Sequence, residues 1–438
     1  MLADERGALV PFRDPAALAE QVIDLLDNEA RRHGMRKRAY LYGREMIWPQ
    51  VARRYMESFQ RARIERRHFT PPGFVVKALD KRPVELPPLK LDYLRHMTDG
   101  TGMFQHAIFT VPNYQEGYTI DDNARALIVS AFLEELGNVE TAGLMSRYFA
   151  FVWYAFNAKT GRFRNFMDYQ RNWLEENGSD DSHGRTLWAL GTVLGHSNTP
   201  AMQNMAGWVF EKSLPAVLDT TSPRAWAFAL IGINEYLQRF AGDRTITQVR
   251  EELAGRLLDL YRKSRTGAWY WYEESLTYCN AALPHALLMC GHGIPNGDMT
   301  EAGLESLRWL ADLQRADEAG GHFVPIGSNG FYQRGGVRAR FDQQPVEAQA
   351  MVSACLEAHR ITADKSWYKE ARRAFDWFLG RNDLDLPIYD PTTGGCRDGL
   401  HADRANENQG AESSLAFLQA VLELRLAETT LASVETGA

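Results

Sequence analysis

The stretch GYTIDDNARAL, Gly117 to Leu127, decides the fold. A Tyr-Thr pair leads into a doubled aspartate, Asp121-Asp122, and the chain then continues as ALIVSAFLEEL, with little room for a water-facing stripe. A helix that is apolar nearly all round is a buried one. Acids in a first turn suit the positive end of the helix dipole. The stretch therefore predicts an interior helix that presents carboxyls at its N-terminus.

Working outward, the same plan recurs. DSHGRTLWALGTVL begins at Asp181, PRAWAFALIGINEYL at Pro223, LTYCNAALPHALLMCG at Leu276, PVEAQAMVSACLEAH at Pro345 and AESSLAFLQAVLELRL at Ala411. Between them lie runs with charge on one side only, such as 247–263, 299–313 and 367–379. Inner helices covered all round, alternating with outer helices that face water, make a double ring. Six such pairs predict an all-α (α/α)6 toroid over residues 91–428. The starts are too unevenly spaced for a solenoid of fixed period. Long lead-in loops cause the unevenness, and loops of that length inside a compact domain tend to be functional. They carry Tyr, Trp, Gly, His and acids, so the mouth of a cavity is expected where they converge.

Residues 1–60 read as a helical head, with Asp14 as N-cap, Pro15 at the first helical position, and Leu18, Val22, Ile23, Leu25 and Leu26 at helical spacing. Residues 61–90 form a basic, proline-marked connector, and residues 429–438 are expected to be a disordered tail. With 49 Lys plus Arg against 56 Asp plus Glu, the net charge of −7 gives no general pull toward nucleic acid. No apolar run reaches the ~18 residues needed to span a bilayer, and Met1 to Arg13 lacks the pattern of a secretory signal. Cys279, Cys290, Cys355 and Cys396 are scattered without metal spacing, which predicts reduced thiols in a cytoplasmic protein, with Cys355 as a small core residue. The chain also holds 11 Trp, 17 Tyr and 21 Phe, more than a core of this size requires, and rings with a polar edge suit a sugar cleft.

The candidate chemistry sits at the helix starts. Asp121 and Asp122, beside Tyr118 and Arg125, are placed to hold a water or sugar hydroxyls, although one of the two also suits the N-cap. ENGSDDSHGRTLWAL repeats the arrangement with Asp180, Asp181, His183 and Arg185, where Ser179 or Asp180 caps. A helix N-terminus favours the ionised carboxylate, so Asp122 and Asp181 are expected to act as base or hydroxyl anchor. A general acid needs a raised pKa from an apolar setting or a neighbouring carboxylate, and Glu412 or Glu347 is the expected acid. Glu273 and Glu274 follow an aromatic run in which Trp269 and Trp271 are expected sugar platforms, with Tyr118 and Tyr332 elsewhere. Tyr278, Gln344, Glu407 and Asn408 complete the expected substrate contacts. His106, His183, His285 and His401 lie in or near the lead-ins without metal spacing, so neither a metal nor a cofactor is expected.

Two resemblances add to this. GALVPFRDPAALAEQVIDLLDNEARRHGMRKRAYLYGREMIWPQVARRYMESF, residues 7–59, resembles the last sixty residues of a GT-B glycosyltransferase. The sequence before it does not contain the segment that would bind the sugar donor, so the expectation is either a docking remnant, with a glycosyltransferase as partner of residues 1–60, or the start of a fragment or split gene whose other half is the transferase. TGMFQHA, GYTIDDNARALI, DDSHGRTLWALG and NENQGAESSLAFL resemble a bacterial family usually found as the C-terminal half of proteins that begin with such a transferase. This implies a carbohydrate-active (α/α)6 domain, with mannose-type oligosaccharides as a suggested substrate.

Taken together, a glycoside hydrolase with a carboxylate pair acting on an oligosaccharide is the leading expectation. A sugar 2-epimerase using His183 and His285 as acid and base is the first alternative. A glycan-binding partner module without chemistry is the second.

Overall fold

The computed structural model describes residues 4–68, 85–138, 142–294, 296–317 and 321–436. The chain divides into two units, Met1–Val84 and Glu85–Ala438. The first contains α1 (Pro15–Asp27), α2 (Glu29–Gly43) and α3 (Trp48–His68). Asp14 caps α1 by accepting the Ala17 N–H, with Pro15 in the first turn. α3 continues to His68, past the expected end of the head at residue 60. Most of the proline-marked connector, residues 69–84, lies outside the described residues. No residue of α1 or α2 is buried, and Val22, Leu26, Trp48, Tyr55 and Phe59 stay exposed within this unit.

The second unit contains α4 (Asp92–His96), α5 (Ile120–Glu135), α6 (Ala142–Ala155), α7 (Asp180–His196), α8 (Pro200–Ser213), α9 (Pro223–Arg239), α10 (Arg244–Ser264), α11 (Ala282–Gly293), α12 (Gly297–Leu313), α13 (Pro345–Thr362), α14 (Lys365–Asp376) and α15 (Ala411–Thr436). Helices α5, α7, α9, α11, α13 and α15 each touch the next, and α15 closes the ring on α5. Helices α6, α8, α10, α12 and α14 each pack outside the inner helix before them. Beside α15 stand the short α4 and its lead-in, where Arg425 donates to the Pro87 carbonyl and the Tyr93 hydroxyl to the Gln409 carbonyl, both at 2.7 Å. This is the (α/α)6 toroid read from the alternation of helix types. In α7 every residue from Ser182 to Leu194 is buried, whereas the buried residues of α10, among them Ile246, Leu253, Leu257 and Tyr261, mark one face only. Over the stretch expected as a disordered tail, α15 runs to Thr436, and residues 437–438 fall outside the described residues.

Side-chain caps explain where the inner helices start. Thr119, Ser179 and Ser222 cap α5, α7 and α9, and prolines occupy the first turns of α9 and α13. The lead-ins are tied to each other by two-residue strands. β1 (Ala107–Ile108) and β2 (Val111–Pro112) form a hairpin, and β3 (Tyr118–Thr119) pairs antiparallel with Phe166–Met167 ahead of α7. These ties hold the N-termini of the inner helices around one mouth.

Glycines let α7 and α9 approach closely. A Cβ on Gly191 would meet the Gly232 carbonyl oxygen at 2.1 Å, and one on Gly232 would meet the Leu187 carbonyl at 2.3 Å. Backbone cannot yield as a flexible side chain does, so Gly191→Ala should force the two helices apart and destabilise the fold by ~3 kcal/mol. Urea unfolding checks this, and a loss within ~0.5 kcal/mol, the usual range for a neutral surface change, would contradict the close-packed interface.

Candidate active site

The mouth opens into a cavity of about 530 Å³ lined by side chains from several lead-ins, including Asp121, Asp122, Arg125, Asp181, Arg185, Tyr278, Gln344, Asp398 and Glu412. It is built on the first turn of α5. Thr119 Oγ1 accepts the Asp122 N–H at 3.1 Å, and its hydroxyl donates to Asp122 Oδ2 at 2.6 Å. Capping therefore falls to Thr119, and both aspartates are released from that duty. Asp121 bridges two guanidinium groups, accepting from Arg125 Nε at 3.0 Å and Arg185 Nε at 2.6 Å. Burial alone would raise the Asp121 carboxyl, but Arg185 and Arg125 outweigh it and hold it below the usual carboxylate range.

Asp122 behaves oppositely. It is buried, it makes no ion pair among the described residues, and Asp121 stands next to it, so its carboxyl is pushed up to about 8. The helix N-terminus does not keep it ionised as the sequence suggests, because desolvation and a like charge outweigh the dipole. A carboxyl raised in this way suits a proton donor, where the sequence suggested a base or hydroxyl anchor.

Asp181 faces the same cavity. The Ser222 hydroxyl donates to Oδ1 at 2.6 Å and the Tyr278 hydroxyl donates to Oδ2. Arg224 steadies the Tyr278 loop, donating to the Tyr278 carbonyl at 2.6 Å and to Glu273 at 2.7 Å, so Glu273 acts behind the cavity wall. Glu412 lines the cavity, half-exposed, and receives Arg125 Nη2 at 2.8 Å. Asp398, which the sequence reading missed, also lines the cavity, and burial raises its carboxyl although the Gly410 N–H donates to it at 2.7 Å. Its Asp-Gly dipeptide reads as an ordinary turn, and only closure of the ring brings it to the cavity that Asp122 also lines.

Other expected site residues fall elsewhere. Glu347 is buried and saturated by the Asn280 side chain at 2.7 Å, the Asn280 N–H at 3.2 Å and Gln314 at 2.9 Å, away from the cavity lining, so it holds lead-ins together. Trp271 is fully buried and Trp269 nearly so, both packed on Trp309, which removes them as sugar platforms. Asp180 is bound to Arg162 at 2.8 Å and to the Thr221 N–H at 3.1 Å, outside the lining. Glu274 and Glu407 pair with Arg334 and Arg397, Asn408 accepts the Phe109 N–H, and Tyr118 is buried with its hydroxyl donating to Asp99. Gln344, at the N-cap position of α13, does reach the mouth.

The two histidines of the alternative reading share no cavity. His183 is fully buried against Phe163 with neither ring nitrogen partnered, and burial pushes it down to about 4. His285 lines a different cavity of about 670 Å³ between the C-terminal ends of inner helices, with Glu135, His196, Glu235, Glu357 and Glu423. There His196 bonds Glu135 at 2.5 Å and Glu235 at 3.1 Å. Burial would lower its pKa, but the two carboxylates raise it to about 10. Its proton stabilises the fold fully below the ordinary value of 6.5, and that contribution is lost as pH rises toward about 10. Thermal melts should show stability falling across this window, and His196→Gln should flatten it. An unchanged slope in the variant would refute the assignment.

All four cysteines are buried and unpaired. Among the described residues, no cluster of three or more His, Cys, Asp or Glu is arranged to hold a metal ion, and no helix is long and apolar enough to cross a membrane.

No protein-family profile matches the sequence, and no curated protein matches it. Solved structures do share the fold. A sugar epimerase from a ruminal bacterium is similar with a TM-score of 0.60 at 10% identity, over 78% of this chain and 97% of that one. A cellulase of C. cellulolyticium in complex with cellobiose gives 0.53 at 10% identity, over 75% of this chain and 88% of its own. An inactive variant of an α-1,6-mannanase of a Salegentibacter species, with two consecutive aspartates changed to alanine and α-1,6-mannotetrose bound, gives 0.54 at 11% identity, over 77% and 96%.

Proposed function

We propose that the protein is a carbohydrate-active enzyme that hydrolyses an uncharged oligosaccharide, with Asp122 as proton donor to the leaving oxygen and Asp181 as the second carboxyl. The observation that carries this reading is the raised Asp122 carboxyl beside the ion-paired Asp121, at a mouth that also contains Asp181, Asp398 and Glu412. Pairs of carboxyls whose surroundings drive their pKa values apart are what acid-assisted glycoside cleavage uses. An inactive mannanase altered at two consecutive aspartates lends support by analogy. Arg125 and Arg185 are already engaged by Asp121 and Glu412, which argues against a charged uronate. A cytoplasmic setting is supported by the four unpaired thiols.

Epimerisation is the second reading, favoured by the likeness to a sugar epimerase. Its expected pair is not supported by the geometry, since His285 lines the 670 Å³ cavity and His183 lines neither that cavity nor the mouth. For residues 1–60 the proposed role is docking to a GT-B glycosyltransferase, supported by the resemblance of that segment and by its exposed apolar side chains.

One experiment separates the readings of the toroid. Oligosaccharides incubated with the protein in ordinary and in deuterated water are followed by mass. Hydrolysis yields shorter chains, epimerisation leaves length unchanged and takes up a deuterium on carbon, and a binding module does neither. For the head, removal of residues 1–60 is expected to leave turnover intact and abolish co-elution with a transferase chain.

A further inference from the structure

The wall of the mouth continues outward as an apolar rim that the site chemistry does not explain. Gln105 and His106 line the cavity, and the chain passes from them directly into the β1–β2 hairpin. On that hairpin Ile108, Phe109 and Val111 are 58%, 61% and 66% exposed. Phe109 sits at the tip with φ of 54°, a left-handed conformation that a bulky side chain adopts only when its surroundings impose it. Those surroundings are visible. The Phe109 N–H donates to Asn408 Oδ1 at 2.8 Å, and its carbonyl accepts the Gln409 N–H at 2.9 Å, from the loop that leads into α15.

A second group of rings continues the rim. Phe166, half-exposed, lines the cavity, and Tyr169 lies a few residues further along the same loop. Tyr169 stacks on Tyr114 with ring centroids 4.6 Å apart and planes 2° apart, over Phe104, and both tyrosines remain about half-exposed. Rings fixed by stacking and left open to water lose little freedom when something flat lies on them. The apolar face of a pyranose ring is such a partner, and His106 and Phe166, each three residues before one of these rings, line the cavity where the reacting bond would sit.

We propose that Phe109 and Tyr169 form an outer sugar-binding subsite, so that the substrate is an uncharged oligosaccharide longer than a disaccharide. This rests on the hydrolase reading above. The test is kcat/KM on β-1,4-gluco- and α-1,6-manno-oligosaccharides from the disaccharide to the hexasaccharide, for the wild type, Phe109→Ala, Tyr169→Ala and Tyr169→Phe. Wild-type kcat/KM rises with chain length. Each alanine variant loses about tenfold on the hexasaccharide, mainly through KM, and the loss shrinks toward the disaccharide. Tyr169→Phe, which keeps the flat ring, retains the length dependence. A loss equal at every length, or none, overturns the subsite while the hydrolase reading stands. A wild type inert at every length overturns both. Self-association of the wild type that Phe109→Ala abolishes in sedimentation, with turnover unaffected, assigns the rim to a second copy of the chain and overturns the proposal.

Discussion

Replacing Asp122 with asparagine should lower kcat about a thousandfold on whatever oligosaccharide the wild type cleaves, within the range that a positioned acid supplies. The amide has nearly the shape of the acid, can still accept from the Thr119 hydroxyl, and has no proton to give. The wild type adds a pH signature. Because the carboxyl must be protonated and titrates at about 8, kcat should fall as pH rises through that value. Stability moves in the same sense. A carboxyl raised in the folded state contributes stability below its ordinary value of 3.8, and this is lost as pH rises toward about 8. Asp122→Asn lacks that loss, so its melting temperature should equal or exceed the wild type's at pH 8. An asparagine variant that keeps a tenth or more of wild-type kcat would remove Asp122 from the acid role. One that loses both kcat and stability would mark it as structural.

What the sequence showed and concealed follows from which forces are local. Helix type is local: Ser182 to Leu194 has no polar stripe, α10 has one, and their alternation already defines a double ring. The first-turn position of Asp121 and Asp122 is equally local. Their protonation is not, because it depends on burial and on Arg185, which arrives from another helix. The doubled aspartate with an arginine four residues later reads as two parallel copies of one device. In the folded chain the copies interlock instead: Arg185 reaches across to Asp121, while Asp181 takes the hydroxyls of Ser222 and Tyr278. Trp269 and Trp271 illustrate the opposite error. A Trp-Tyr-Trp-Tyr run looks like a paved surface, but here it is wedged against Trp309 of α12 and becomes core. Nothing in the sequence around Phe109 or Tyr169 marks their rings as exposed, and only the backbone strain and the stacking single them out.

The interlock predicts the largest effect on stability. Asp121→Ala leaves Arg125 and Arg185, whose side chains are only 4% and 3% exposed, facing each other across an emptied position. Arg125 keeps Glu412, but Arg185 is left with Cys279 Sγ at 3.9 Å and the face of Phe228 at 4.0 Å. Removing one partner of a buried ion pair strands the other charge and costs ~3–5 kcal/mol. Urea unfolding of Asp121→Ala should show a loss of that size. The origin of the loss is checked by a double-mutant cycle. In an Arg185→Leu background the stranded charge is gone, so Asp121→Ala should then cost at least ~1 kcal/mol less. If the cost is the same in both backgrounds, the bridge is not what Asp121 provides. The same substitution also removes the neighbouring negative charge that helps hold Asp122 up. In any uncharged Asp121 variant that stays folded, the alkaline limb of kcat should therefore move to lower pH, which ties the clamp between α5 and α7 to the acid it supports.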